Sequence, residues 1–243
     1  MSHDRPHTAA PLDDPDAKRM LNEQLFTAIA PNYDRINRLL SLGRDAVWKD
    51  QLVGALPDLE APRCLDLACG TGDITLRLAG RYPRGLIVGL DLTEAMTDLA
   101  RRRSTADNVE FVRADMCEMP FPNAHFDIVT GGYAIRNAPD LDKALAEIHR
   151  VMKPDAVAAL LDFSKPAHRV AQILELAMIR LWAGFWGLVF YHKAGLYTYI
   201  AESLRRFPDT GQLRDILHRH GFTDIRSRRH FGGLAETLFF RKS

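Results

Sequence analysis

Apolar residues recur at two different periods along this chain, and the change of period divides it. From Asp16 to about Leu56 they fall at helical spacing, at Leu21, Leu25, Phe26 and Ile29 and then at Ile36, Leu39 and Leu40. After Pro57, short apolar runs at 63–67, 86–90, 109–112, 126–130 and 157–163 read as strands. Helical stretches at 74–81, 94–103 and 141–152 alternate with them. That alternation predicts an α/β domain, a mostly parallel sheet with helices on both faces. A long helical pattern from about 168 to 207 interrupts it. A helix at 211–220, a turn at Gly221 and two strands at 223–230 and 234–241 then predict a hairpin that adds an antiparallel strand. Residues 1–16, polar and punctuated by proline, are expected to be disordered. Residues 17–56 are expected to form a helical cap, and 57–243 the main domain with 168–207 as a helical insertion.

Composition narrows the class without choosing a function. The 243 residues are 47% hydrophobic and 26% charged, as in ordinary globular proteins. A net charge of +1 gives no general attraction to nucleic acid or to an anionic surface. Arg101–Arg103 reads as a solvated helix end, and Arg226, Arg228 and Arg229 as the outer face of a strand, so no nucleic-acid partner is expected. Cys64, Cys69 and Cys117 show no metal-ligand spacing, and a cytoplasmic setting is expected. The most apolar segment, Leu181–Tyr191, has eleven residues, against about 20 for a helical membrane span.

The chemistry begins at Leu65-Asp66-Leu67-Ala68-Cys69-Gly70-Thr71-Gly72-Asp73. A buried strand breaks into a turn with two glycines, suited to a tight bend or to close approach of a ligand, and resumes as a helix. The next strand ends in Asp91, 21 residues after Gly70, placed to accept hydrogen bonds from a ribose diol. The pair points to a nucleoside cofactor. The third glycine of a dinucleotide turn is absent, and Asp73 sets a negative charge where a pyrophosphate would sit. The turn resembles the first motif of class I S-adenosylmethionine (SAM) methyltransferases, whose ligand is cationic. In an open α/β sheet four stretches should meet at the ligand: Gly70–Gly72, Asp91–Leu92, Asp115–Met116 and Gly131–Asn137. Asp115 can accept from an adenine amino group while Met116 packs on the ring, or it can simply cap a turn.

Further motifs extend the likeness over most of the chain. Phe26–Asn37 with Ser41 and Trp48, Met119–Pro122, Tyr133–Asn137, Arg150–Pro154, Phe163–Pro166, Tyr197–Ser203 and Phe207-Pro208 resemble, in family order, the ubiquinone/menaquinone biosynthesis C-methyltransferases of the UbiE/MenG type. The resemblance implies a Rossmann-like domain with a seven-stranded, mostly parallel sheet and an antiparallel C-terminal strand. It implies transfer of the SAM methyl to a ring carbon of a prenylated quinol, either a demethylmenaquinol or a ubiquinol precursor. By this analogy Tyr33, Asp66, Gly70, Thr71, Gly72, Asp91, Leu92, Asp115, Met116 and Gly132 hold SAM, with Tyr33 closing over the site. Arg136 and Asn137 face the aromatic acceptor.

Ring methylation needs an ionised neighbouring hydroxyl, and a free phenol has a pKa of about 10. A cation such as Arg136 would stabilise the phenolate in a dry pocket, and no metal is required. The alternative for Arg136 is a structural salt bridge or loop clamp. Leu181–Tyr191 is a candidate lid for an isoprenoid tail and a candidate peripheral membrane contact at the inner face of the membrane. Core packing or a homodimer interface are its alternatives.

Some positions depart from the family pattern. Asp45 stands where a histidine is usual, Asp155-Ala156 where two glycines are, and Asp162 where a glutamate is; the last strand carries Leu238 in a stretch that normally has histidine and glycine. None lies in the SAM motifs, and all are expected around substrate-side loops and supports. They leave open another lipophilic acceptor, or a SAM-binding paralogue without transfer.

Overall fold

The computed structural model describes residues 12–165, 172, 177 and 195–243. Most of the segment expected to be disordered, and most of the expected insertion with Leu181–Tyr191, lie outside the described residues.

Among the described residues three α-helices come first: α1 (Pro15–Ile29), α2 (Tyr33–Leu40) and α3 (Asp45–Gly54). α1 starts where the Asp14 carboxylate accepts the Asp16 N–H at 3.0 Å and Pro15 supplies a helical φ at the first position. The main domain then runs β1 (Arg63–Leu67), α4 (Asp73–Arg81), β2 (Leu86–Asp91), α5 (Glu94–Arg103), β3 (Val109–Arg113), β4 (Phe126–Gly132), α6 (Leu141–Val151) and β5 (Met152–Phe163). It closes with α7 (Gly195–Arg206), α8 (Thr210–Arg219), β6 (Phe222–His230) and β7 (Ala235–Lys242). The seven strands form one sheet in the order β3-β2-β1-β4-β5-β7-β6. Pairing is parallel from β3 through β5, and β7 runs antiparallel to both of its neighbours. Strand order reverses at β1 and β4, which opens a crevice at their carboxyl ends.

Side-chain alternation along β1 explains the two layers. Leu65 and Leu67 point into the core under α6 and α8, while Cys64 joins Trp48, Leu52, Ile74 and Leu78 of α3 and α4 on the opposite face. Asp66 shares that second face. The cap packs on α5 through Ile29, Ile36 and Met96, which brings α1 and α2 over the crevice.

Most strand and helix ends fall within one or two residues of the sequence expectation, and β5 departs further. The strand expected from residue 157 begins at Met152, directly after α6. Pro154 is tolerated because the register against β4 shifts between Phe126 and Ile128, where no ladder N–H is needed.

Candidate functional site

The turn after β1 is built from left-handed residues: Ala68 (φ 46°), Gly70 (φ 54°) and Gly72 (φ 84°). Asp91, at the end of β2, ties this turn to the next one. One carboxylate oxygen accepts the Gly70 N–H at 2.9 Å and the other the Thr93 N–H at 2.8 Å. Burial raises the Asp91 carboxyl pKa, and these backbone donors oppose the rise. Gly70, Asp91, Leu92, Asp115, Met116 and Gly132 line one cavity, closed from above by Asn22, Phe26 and Tyr33 of the cap. Arg19 reaches the same mouth, with Nε 3.4 Å from Asp115.

Three expected residues do not line this cavity. Asp66 is fully buried beneath the turn, accepting from the hydroxyls of Thr75 at 2.7 Å and Thr130 at 2.9 Å. Burial pushes its carboxyl pKa up to about 6 against the pull of those two hydroxyls. The Thr71 hydroxyl turns to Asp34 of α2 at 2.6 Å. Gly72 starts α4, where a β-carbon would stand 3.2 Å from Phe111.

A second cavity lies on the far side of Tyr33, lined on the cap side by Leu25, Phe26, Ile29 and Ile36. Trp48, Phe163, Tyr199 and Leu234 complete its apolar wall, and Arg136 is its cation. Phe26, Tyr33, Tyr133 and Asn137 line both cavities, so the two meet there.

Tyr133, at the end of β4, has φ 57°, a strained value for a residue with a side chain. That bend swings Ile135–Asn137 into a short 3-10 turn. The Asn137 side chain donates to the Tyr133 carbonyl at 2.8 Å, and Asn22 of α1 donates to the Asn137 carbonyl at 2.6 Å. The Tyr199 hydroxyl bonds the side-chain oxygens of Asn22 at 2.5 Å and Asn137 at 3.2 Å. Arg136 is buried, with Nε 3.2 Å from Asp162, Nη1 donating to the Ser203 hydroxyl, and its guanidinium 5.5 Å from the Phe163 ring centroid. Its charge is therefore paired before any ligand arrives. The structural and the functional readings of Arg136 hold the same geometry.

Phe26 and Tyr133 line both cavities without being expected site residues by themselves; Phe26 lies in the first motif, and Tyr133 in the stretch Gly131–Asn137 expected at the ligand. The signal for Tyr133 was its place directly after the paired glycines that end a strand.

A model of the ubiE/COQ5 methyltransferase family matches residues 15–241. The chain belongs to that family. A demethylmenaquinone methyltransferase of Lactobacillus johnsonii is 34% identical over 206 residues, covering 83% of this chain and 84% of that one. A 2-phytyl-1,4-naphtoquinone methyltransferase of Nostoc is 35% identical, covering 82% and 89%. Among solved structures, a SAM-dependent methyltransferase of Thermotoga maritima superposes with a TM-score of 0.63 at 17% identity, over 91% of this chain and 99% of that one. That likeness is one of fold. This member of the ubiE/COQ5 methyltransferase family is thus a SAM-dependent methyltransferase.

Its departures from the family pattern fall in two places, which corrects the expectation that all lie on the substrate side. Asp162 and Asp45 support the second cavity, through Arg136 and Tyr133. Asp155 precedes Asp162 by seven residues on β5, roughly 20 Å along a strand, and Ala156 and Leu238 pack in the main core. Asp155 has φ 61°, a conformation that favours the usual glycine.

No helix among the described residues is long and apolar enough to cross a membrane.

Proposed function

We propose that this methyltransferase transfers the methyl of SAM to a ring carbon of a prenylated quinol, a naphthoquinol of the kind for which its relatives are named. The observation that carries the reading is the pair of cavities meeting at Tyr33, Tyr133 and Asn137, one lined by the carboxylate that closes β2 and the other by apolar side chains and a buried arginine.

The first cavity fits SAM. The Asp91 carboxylate lines the cavity as an acceptor for a ribose diol, and Leu92 and Met116 offer apolar faces to an adenine. Asp115 is placed to accept from the amino group. A β-carbon on Gly70 would stand 3.3 Å from the Tyr33 ring, so glycine there keeps the cap close to the turn. Asp66, Thr71 and Gly72 serve this site indirectly, by fixing the turn on α4 and α2. Bound SAM supplies a methyl group on a sulfonium leaving group.

In the second cavity Leu25, Ile29, Ile36 and Leu234 provide a surface for an isoprenoid tail, at about 0.8 kcal/mol per buried methylene. Arg136 has five donors, Asp162 and Ser203 use two, and Arg136 lines this cavity, so its guanidinium stabilises developing phenolate charge there. Asn137 holds the turn that aims it. The cap excludes water, which strengthens these interactions, and well-aligned reactants are worth up to about 7–11 kcal/mol.

Incubation with methyl-labelled SAM and candidate quinols tests the reading. Label on a ring carbon of a demethylmenaquinol is expected. Tight binding of S-adenosylhomocysteine with no label on any quinol would refute it.

A further inference from the structure

The second cavity presents an acceptor hydroxyl with no carboxylate and no histidine among its described lining residues. Its polar side chains are Tyr33, Asn37, Ser41, Tyr133, Arg136, Asn137 and Tyr199, and an arginine does not deprotonate in a protein. Among the described lining residues, the groups able to take up a proton from the acceptor and pass one on are the hydroxyls. Tyr199 meets the amides of Asn22 and Asn137, and Ser41 meets backbone groups of Arg38 and Asp45. Tyr33 makes no hydrogen bond to a carboxylate among the described residues. Tyr133 alone among them meets a carboxylate: its hydroxyl donates to Asp45 Oδ1 at 2.9 Å.

Behind Asp45 stands a chain of charges that ends at the surface. Lys49 Nζ lies 2.6 Å from Asp45 Oδ2 and 2.9 Å from Asp73 Oδ2. Asp73 pairs with Arg77, and Arg77 pairs at 2.8 Å with Asp50, whose side chain is 66% exposed. Three carboxylates face two cations, so one added proton brings the cluster to neutrality. Protonating Asp45 strands no buried charge, because Lys49 remains paired with Asp73.

We propose that Tyr133 and Asp45 form the proton relay of the methyl transfer, with Tyr133 as the catalytic group against the acceptor and Asp45 as its proton sink. This rests on the quinol reading above. The acceptor O–H proton passes to the Tyr133 oxygen as the Tyr133 proton passes to Asp45 Oδ1. The electron pair left on the acceptor oxygen feeds the ring, the ring carbon bonds the methyl, and the pair of the broken carbon–sulfur bond stays on sulfur. The hydrogen of the methylated carbon then shifts to the acceptor oxygen, restoring the hydroxyl, and Asp45 releases one proton per turnover to solvent. Burial, and then the adjoining Asp45, keep Tyr133 itself protonated, so it conducts rather than stores charge. Besides burial, the groups that raise its pKa are Asp45 of α3, Tyr33 of α2 and Asp162 of β5; Lys49 of α3 is bonded to Asp45 and to Asp73 of α4, and Arg136 to Asp162.

The test compares the full chain with Tyr133→Phe and Asp45→Asn, using S-adenosylhomocysteine affinity to show that each variant is folded. Turnover is expected to fall by about 10²–10⁴-fold in Tyr133→Phe, with that affinity retained. Below the acceptor's own pKa its rate should rise in proportion to hydroxide, while the wild type stays flatter. The deficit should shrink with a quinol whose hydroxyl is acidified by an electron-withdrawing substituent. If one variant does not fold, the other carries the same expectations. Wild-type rates and pH profiles in the variants overturn the relay alone, as does a deficit indifferent to acceptor acidity. A wild type that methylates no quinol overturns the acceptor reading and the relay with it.

Discussion

Tyr33 of the cap rests against Gly70 of the turn after β1, so closely that a β-carbon on Gly70 would lie 3.3 Å from the Tyr33 ring. The cap and the cofactor turn are thus fitted to each other through a missing side chain. Gly70→Ala should be destabilised by about 1–3 kcal/mol from its left-handed φ alone. It should also bind S-adenosylhomocysteine more weakly, because Tyr33 must move. Thermal unfolding and calorimetric titration check the two halves separately.

The Asp66 carboxyl should make the protein less stable as pH rises. Its folded value, about 6, lies above an ordinary aspartate value of about 3.8, so the folded state holds its proton more tightly. The contribution is complete below about 3.8 and is lost as pH rises through about 6, with a size of about 3 kcal/mol. Asp66→Asn should therefore match or exceed the wild type in stability above pH 7 and lose the advantage in mild acid. Denaturant unfolding of both proteins across this range measures the difference.

Arg136→Ala should lose stability as well as rate. The substitution leaves the buried Asp162 carboxylate without its partner, at a cost of about 3–5 kcal/mol. Arg136→Lys keeps a charge but not the planar fork, and should slow transfer while retaining cofactor affinity. Turnover near wild type in the lysine variant would remove Arg136 from the chemistry.

Tyr199→Phe should loosen the closure of the cap over both cavities. It deletes the hydroxyl bonding Asn22 and Asn137, and about 1–3 kcal/mol is expected when buried amide oxygens lose a partner. The acceptor KM should rise more than the SAM KM, since Tyr199 lines only the second cavity. Equal changes in the two would contradict this placement.

The cofactor side of the site was legible because its signals are local. A strand, a glycine turn and a carboxylate after the next strand sit within about thirty residues of sequence, as the βαβ unit requires. Asp66 shows where that legibility ended. Strand alternation places it on the face opposite Leu65 and Leu67, beneath the turn, whereas motif membership suggested contact with the cofactor. The acceptor cavity was far less readable. Its wall gathers Leu25, Trp48, Phe163, Tyr199 and Leu234 from distant parts of the chain, and apolar residues carry no mark that separates a cavity wall from a core. The Tyr133–Asp45 contact spans 88 residues and depends on a backbone bend that no spacing encodes. At β5, Pro154 disguised an early start to the strand, because only the partner's register shift makes a proline acceptable there.

β7 follows β6 in the chain but is an interior strand of the sheet, seated between β5 and β6. Until residues 235–242 are available, β5 has an open edge and β6 has no neighbour to dock on. Sheet closure during biosynthesis must therefore wait for β7, and the half-built domain carries a vacant strand slot that a foreign strand could fill.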